Sequence, residues 1–401
     1  MTPGAPGEAT LREVIESLAA LERAPGSEGE RAAAHWICQR LRAVGCDAAI
    51  EEEEFLDGYA RQMRSLSVVS GIAGAAALGA RRARPVAAAV ATAVAAAIAD
   101  DVSNGPRLFR RATSARRRTW NVVGRCGPET APRTLVVLAH HDAAPTGRIF
   151  DQSVQAWLGE RFPGILERID TSVPLWWTLM GAPALVALGA ARGRRGLLAA
   201  GTAGSALGAA VFHDVARSPI VPGANDNLSA VAVLVALAER LRAAPVDGLR
   251  VLLVSCGAEE VIQGGIYGFA RRHFPALARD RTWFVNVETV GSPRLIMLEG
   301  EGPVVMEDYH DRGFRDLVDH TARVAGAPLR RGLRARTSTD AVIPHRAGYP
   351  TVTLASMNRY KALSNYHLMS DTPENIEYRT VRHALTVVEA VARELAVHPW
   401  I

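Results

Sequence analysis

Four apolar runs, Thr134–Ala139, Leu249–Ser255, Trp283–Val287 and Pro350–Ala355, constrain this chain more than any other feature. They are rich in Val and Leu, and helix-like stretches separate them. A strand that is apolar on both sides has to be covered on both sides, which is the position of a parallel strand between two helical layers. The runs therefore predict an α/β fold on a doubly wound, mostly parallel sheet. Size agrees, since 401 residues, 48% of them hydrophobic, suffice for one large α/β domain with insertions and exclude a disordered chain. Residues 8–56 add two amphipathic helices and a strand. Leu11, Val14, Ile15 and Leu18 fall at helical spacing, Ser27 with Glu30 reads as a capping box, and Gly45 suits a left-handed helix end.

Two pairs of stretches break this pattern. Ser65–Ala80 and Pro85–Ala99 carry no charge and are joined by Arg81–Arg84; Thr171–Ala191 and Gly196–His213 are likewise uncharged and joined by Arg192–Arg195. Each pair reads as a helical hairpin. A bilayer core needs ~17–20 apolar residues per helix, a length only the second pair reaches. A soluble cap or dimer interface is the alternative. Charge confined to the ends of four successive segments favours membrane association through 65–99 and 171–213. The surplus of 46 Lys and Arg over 41 Asp and Glu gathers in arginine clusters at 81–84, 110–111, 116–118 and 192–195, each beside an apolar run. Lipid headgroups, not nucleic acid, are the expected counter-charge. Met1–Arg12 shows no basic region followed by an apolar one, so the folded domain is expected on the cytoplasmic side of a membrane, with a soluble cytoplasmic protein as the alternative. The 4 cysteines lie far apart and are expected to be reduced thiols.

The polar residues at the ends of the runs carry the chemistry. His140-His141-Asp142 follows the first, where the ligands of open α/β sheets bind. A neutral imidazole suits zinc, and a carboxylate two residues on can hold the other ring N–H. Gly223-Ala224-Asn225-Asp226-Asn227 opens an apolar helix; capping by Asn225 or Asn227 would free Asp226 to reach a metal. Glu259-Glu260 follows the second run, and one of such a pair can ligate while its neighbour moves protons. Glu288 follows the third run, and Tyr366-His367 with Asp371 follows the fourth. His35, His213, His273, His310, His320, His345, His383 and His398 read as ordinary surface residues. Together His140, Asp226, Glu260, Glu288 and His367 supply two imidazoles and three carboxylates, a donor set for two Zn2+ ions with one carboxylate bridging.

In order and spacing these motifs resemble the M28 family of zinc peptidases, whose aminopeptidase group shares this α/β fold. The opening helices and Asn121-Val122-Val123 also fit, so the likeness spans about residues 8–56 and 119–400, the second hairpin excepted. The resemblance implies two zinc ions and a peptide substrate. It places His140 and Glu288 on one ion, Glu260 and His367 on the other, and Asp226 between them. It makes Asp142 the residue that orients His140 and Glu259 the general base. It divides the chain into peptidase-type parts 1–56, 119–165 and 216–401, interrupted by hydrophobic insertions 57–118 and 166–215. Glu288 stands where the family usually has Asp, Ala230 replaces a common Gly, and Thr339-Asp340-Ala341 replaces Ser-Asp-His. The implied activity is removal of N-terminal residues from peptides. The alternatives are a one-zinc glutaminyl cyclase and a non-catalytic scaffold. Both insertions are expected beside the rim of the site.

Overall fold

The computed structural model describes residues 7–397; His398 and the outermost ends of segments 1–56 and 216–401 lie outside them. The strands are β1 (Asp47–Leu56), β2 (Arg116–Cys126), β3 (Arg133–His140), β4 (Leu249–Cys256), β5 (Thr282–Val287), β6 (Arg294–Glu301), β7 (Glu307–Asp308), β8 (Arg330–Ala335) and β9 (Thr351–Met357). They form one sheet in the order β1-β2-β4-β3-β5-β9-β6-β7, with β8 on β6. The four runs singled out in the sequence are β3, β4, β5 and β9. They are parallel to one another at the centre, whereas β2 joins β4 and β6 joins β9 antiparallel, so the sheet is mixed.

The helices are α1 (Glu8–Ala19), α2 (Glu28–Ala43), α3 (Tyr59–Gly79), α4 (Arg84–Val102), α5 (Leu108–Thr113), α6 (Ser153–Arg161), α7 (Pro163–Arg168), α8 (Leu175–Arg192), α9 (Arg195–Val215), α10 (Ser229–Ala243), α11 (Gly264–His273), α12 (Arg312–Val324), α13 (Val342–Arg346) and α14 (Tyr378–Val397). Alternation along the central strands sorts the core. Leu135, Val137, Val251, Leu253, Trp283 and Val285 face a cluster shared with α1, α2, α10 and α14; Val136, Leu138, Leu252, Val254 and Phe284 face one shared with α11. Each such side chain stabilises the fold by roughly 1.5–3 kcal/mol. Both sheet faces are thereby spent on packing, which leaves the strand ends for chemistry.

Local signals at the start of the chain are realised with one change. Leu11, Val14, Ile15 and Leu18 are the buried face of α1, and Gly45 closes α2 at φ 87°. Ser27 Oγ accepts from the Glu30 N–H at 3.1 Å, but the Glu30 carboxylate leaves the helix, accepting from Gly26 N, Thr119 Oγ1 and Ala258 N, each at 2.7 Å. That glutamate is fully buried and props the turn after β4 from below.

The two hydrophobic segments, far apart in sequence, meet in space. α3 packs on α9 and α4, and α8 on α9 and α4, in a single four-helix unit. Small residues allow the close approach: a Cβ on Gly201 would lie 2.5 Å from Val186 N. Arg81–Val102 and Arg195–Val215 are long and apolar enough to cross a membrane, with mean hydropathy 1.6 and 1.3, and 33% and 17% of their most apolar windows are buried. The arginines flanking the first pair do not all face outward. Arg110 is fully buried and pairs with Asp101 at 2.7 Å, while Arg116, Arg117 and Arg118 pair with Glu54, Asp57 and Glu52. The acidic run of β1 answers that basic cluster across the strands, so protein carboxylates meet charges assigned from sequence to lipid headgroups. All four cysteines are free.

Candidate metal centre

The carboxyl ends of β4, β3, β5 and β9 lie side by side, so the residues that follow them arrive at one edge of the sheet. β3 ends on His140. β4 leads into the turn Gly257–Gln263, which carries Glu259 and Glu260. β5 is followed by Glu288, β9 by the loop bearing His367, and Asp226 comes from the turn that starts at Gly223 ahead of α10. The turn after β4 is tight. A Cβ on Gly265 would lie 2.3 Å from Gly257 O, and Ala258, Ile262 and Gln263 all hold positive φ. Left-handed backbone at such residues costs of order 1–3 kcal/mol each and persists only where the surroundings impose it.

All seven residues singled out for chemistry come together. His140 Nε2 lies 3.3 Å from Asp226 Oδ1, 3.3 Å from Glu288 Oε1 and 3.9 Å from Glu259 Oε2. His367 Nε2 lies 3.2 Å from Asp226 Oδ2 and 3.2 Å from Glu260 Oε2. Asp226 thus turns one oxygen to each histidine–glutamate pair. Two groups able to hold a metal ion share it, His140–Asp226–Glu288 and Asp226–Glu260–His367, each with donor atoms within 4.8 Å of one another.

Two further aspartates hold this arrangement. Asp142 accepts from Glu259 N at 3.0 Å and Glu260 N at 2.9 Å; its Oδ1 also lies 3.4 Å from His140 Nδ1. Its hydrogen bonds therefore go to the backbone of the acidic pair, and its contact with the imidazole is longer. Asp371 does the same for the other loop, accepting from Asn225 N at 2.7 Å and Asp226 N at 3.1 Å. Neither asparagine caps α10. Asn227 instead donates to Val287 O and accepts from Thr289 N, and Asn225 accepts from Gly291 N. Asp226 is freed by Asp371, not by a cap. Sequence reasoning passed over Arg23, which is fully buried and ties His141 O to Pro222 O, and nothing local marks it. Asp340, noted in the sequence only within Thr339-Asp340-Ala341, is buried beside Cys256. His141 turns away and meets Ser255 Oγ at 2.9 Å; burial lowers its pKa to about 4, so it is neutral.

Electrostatics test whether a cation fits. Burial pushes Glu259 well above the usual carboxylate range and Glu260 up to about 7. For His367 burial acts downward, but Glu260 and Asp226 outweigh it and raise the imidazole to about 10. Asp226 is held low by its bonds to both histidines, against its own burial. Glu260 Oε1 and Glu288 Oε2 are buried with no hydrogen-bond partner, and His367 Nε2 faces carboxylate oxygens of Asp226 and Glu260, each at 3.2 Å. Buried polar atoms are normally paired, and buried carboxylates need positive charge. A mixed imidazole and carboxylate set converging without partners is what divalent zinc requires, so the residues fit the ion.

Residues 209–392 match the model of peptidase family M28. The resemblance to M28 holds. No curated protein matches the chain in sequence. Among solved structures, an aminopeptidase from Aneurinibacillus sp. strain AM-1 is similar with a TM-score of 0.56 at 14% identity, over 97% of this chain and 94% of that one. BSAP, a zinc aminopeptidase from Bacillus subtilis, gives 0.55 at 13% identity, over 97% and 94%. A glutaminyl cyclase from Bacteroides thetaiotaomicron gives 0.57 at 12% identity, over 96% and 97%. At these identities the likeness is one of fold, and within M28 it extends to aminopeptidases and cyclases alike.

Proposed function

We propose that this chain is a membrane-associated, dinuclear zinc peptidase of the aminopeptidase type. The observation that carries the reading is Asp226, whose two oxygens face two histidine–glutamate pairs at 3.2–3.3 Å. His140, Glu288 and Asp226 would hold one ion, and Glu260, His367 and Asp226 the other. Zinc bound there supplies Lewis acidity for a scissile carbonyl and lowers the pKa of an attacking water. The chain's own residues do the rest. Asp142 and Asp371 fix the two loops through backbone N–H groups, which sets where the donor atoms stand. Glu259 falls outside the two groups built on Asp226 and only in a third, with His140 and Glu260; with the ions held on Asp226, its carboxylate would take the proton of the attacking water and deliver it to the leaving amine. Membrane association is supported by the mostly unburied apolar windows of Arg81–Val102 and Arg195–Val215. A one-zinc cyclase is a second reading, favoured by the completeness of Asp226–Glu260–His367 as a group by itself.

Zinc content and turnover of aminoacyl substrates, measured on the wild type and Glu259→Gln, test this. The expected result is two zinc per chain in both, with turnover in the variant lower by about 10²–10⁴-fold. One zinc with release of a cyclised N-terminus would favour the cyclase. Wild type that carries no zinc and turns over no substrate would leave a scaffold.

A further inference from the structure

The short link between α4 and α5 reaches from the hydrophobic unit into the metal centre. We infer that Asn104 in this link positions the Glu259 carboxylate through Gln263. The inference rests on the reading of Glu259 as the proton carrier.

A chain of hydrogen bonds with only one possible sense connects them. Arg107 has donors and no acceptor, so Asn104 must turn Oδ1 towards its guanidinium. Tyr267 Oη donates to the same oxygen at 3.1 Å. Asn104 Nδ2 is then left facing Gln263, and it donates to Gln263 Oε1 at 2.8 Å. With that oxygen engaged, Gln263 Nε2 faces the other way and donates to Glu259 Oε1 at 2.7 Å and to Ser338 O at 2.9 Å. Both amides are fully paired, and both are buried. The donor-only arginine at one end dictates that an N–H, not a carbonyl oxygen, meets Glu259 at the other.

The same link grips the backbone of the acidic turn. Arg107 Nη2 donates to Ile262 O at 2.7 Å and Arg110 Nη1 to Val261 O at 3.3 Å, where Ile262 and Gln263 are left-handed. Asn104 and Arg107 are left-handed too, and Arg346 Nη1 holds Asn104 O at 3.0 Å. Unfavourable backbone on both sides of one contact marks surroundings that over-determine the geometry. The hydrogen bond from Gln263 Nε2 fixes one oxygen of Glu259 and thereby the direction of the other, so the link keeps the carboxylate aimed.

The test uses the full-length, zinc-loaded protein with Asn104→Ala, Gln263→Ala and the double variant, assayed for kcat and KM across pH. Asn104→Asp is added because it keeps an oxygen for Arg107 and Tyr267 and replaces the Nδ2 donor to Gln263 Oε1 and Ser338 Oγ with a carboxylate oxygen. Each variant should lose about tenfold in kcat with KM within about twofold and zinc unchanged. The double variant should resemble Gln263→Ala, because Asn104 acts through that residue. An unchanged kcat in Asn104→Asp, or effects that add fully in the double variant, would overturn the inference. Zinc-loaded wild type that turns over no substrate would instead sink the proposed function. Hydrogen exchange of residues 257–263 then decides the positioning alone: faster exchange in Asn104→Asp supports it, and unchanged exchange overturns it.

Discussion

The strand-end cluster and the four-helix unit are opposite kinds of incomplete surface. In the cluster, Glu260 Oε1 and Glu288 Oε2 are polar, buried and unpaired. On the helices, Ile72, Val86 and Leu207 are apolar and about two-thirds exposed, at 65%, 67% and 66%. A folded chain tolerates neither condition in water without cost. On the function proposed above, a cation would complete the first and an apolar medium the second. Contacts within the chain run between the two at Asn104, Arg107 and Arg110, which tie the end of the helix pair to the acidic turn.

The comparison breaks most easily at the helices. Ile72→Asp with Leu207→Asp puts two charges on outward faces of α3 and α9, where a lipid-facing carboxylate costs about 2.5–3.5 kcal/mol near the bilayer centre. Partition of the double variant into phosphatidylcholine–phosphatidylglycerol vesicles should fall by more than 100-fold. A variant that floats with vesicles as the wild type does would show that these faces meet something other than lipid. Turnover of a soluble dipeptide substrate by the detergent-solubilised variant should stay within about twofold, since neither residue touches the cluster.

A smaller effect is expected from the props of the cluster. Asp371→Asn keeps the shape of a side chain that accepts from two backbone N–H groups but removes its charge and one acceptor. Loss of such a support behind a ligand typically lowers metal affinity by about 10–100-fold. Zinc titration should register that loss, with the fold intact by circular dichroism. Zinc affinity equal to wild type would mean the turn at Asn225–Asp226 stands without its prop, and that the two regions differ less in wiring than the hydrogen bonds imply.

What could be read from the residues follows the same division. β3, β4, β5 and β9 were visible because each is a continuous apolar run, and His140, Glu259, Glu260 and Glu288 because they stand directly behind three of those runs. Asp226 and His367 belong to short patterns of their own. The remainder depends on pairing at a distance. Arg23 reaches Pro222, Asp371 reaches Asn225, and Asn104 reaches Gln263, none of them marked by a neighbour in sequence. Arg110 reads in the sequence as part of a basic flank because composition does not reveal that Asp101 pairs with it in the interior. The two hydrophobic segments gave no sign that they form one unit, since uncharged alanine-rich helices carry little to specify a partner.

Glu301 sharpens the contrast at the smallest scale, because it is a buried acid with its oxygens occupied. It accepts from Tyr309 Oη at 2.9 Å, Thr339 Oγ1 at 3.2 Å and Thr339 N at 2.8 Å. Burial nevertheless raises its pKa to about 8, the three donors only partly offsetting the loss of water. The folded pKa lies above that of the unfolded chain, so the protonated form favours the folded state. That stability is fully present below the unfolded value near 4.5 and is lost as pH rises through 8, by at most about 1.4 kcal/mol per pH unit. Glu301→Gln imitates the protonated acid, with one acceptor for Thr339 N and a donor towards the two hydroxyls. Thermal midpoints of wild type and variant should lie closest below pH 4.5 and separate as pH rises through 8, where the wild type melts lower. A constant difference across that range would mean Glu301 stays ionised throughout, and that its three donors suffice to hold a buried charge.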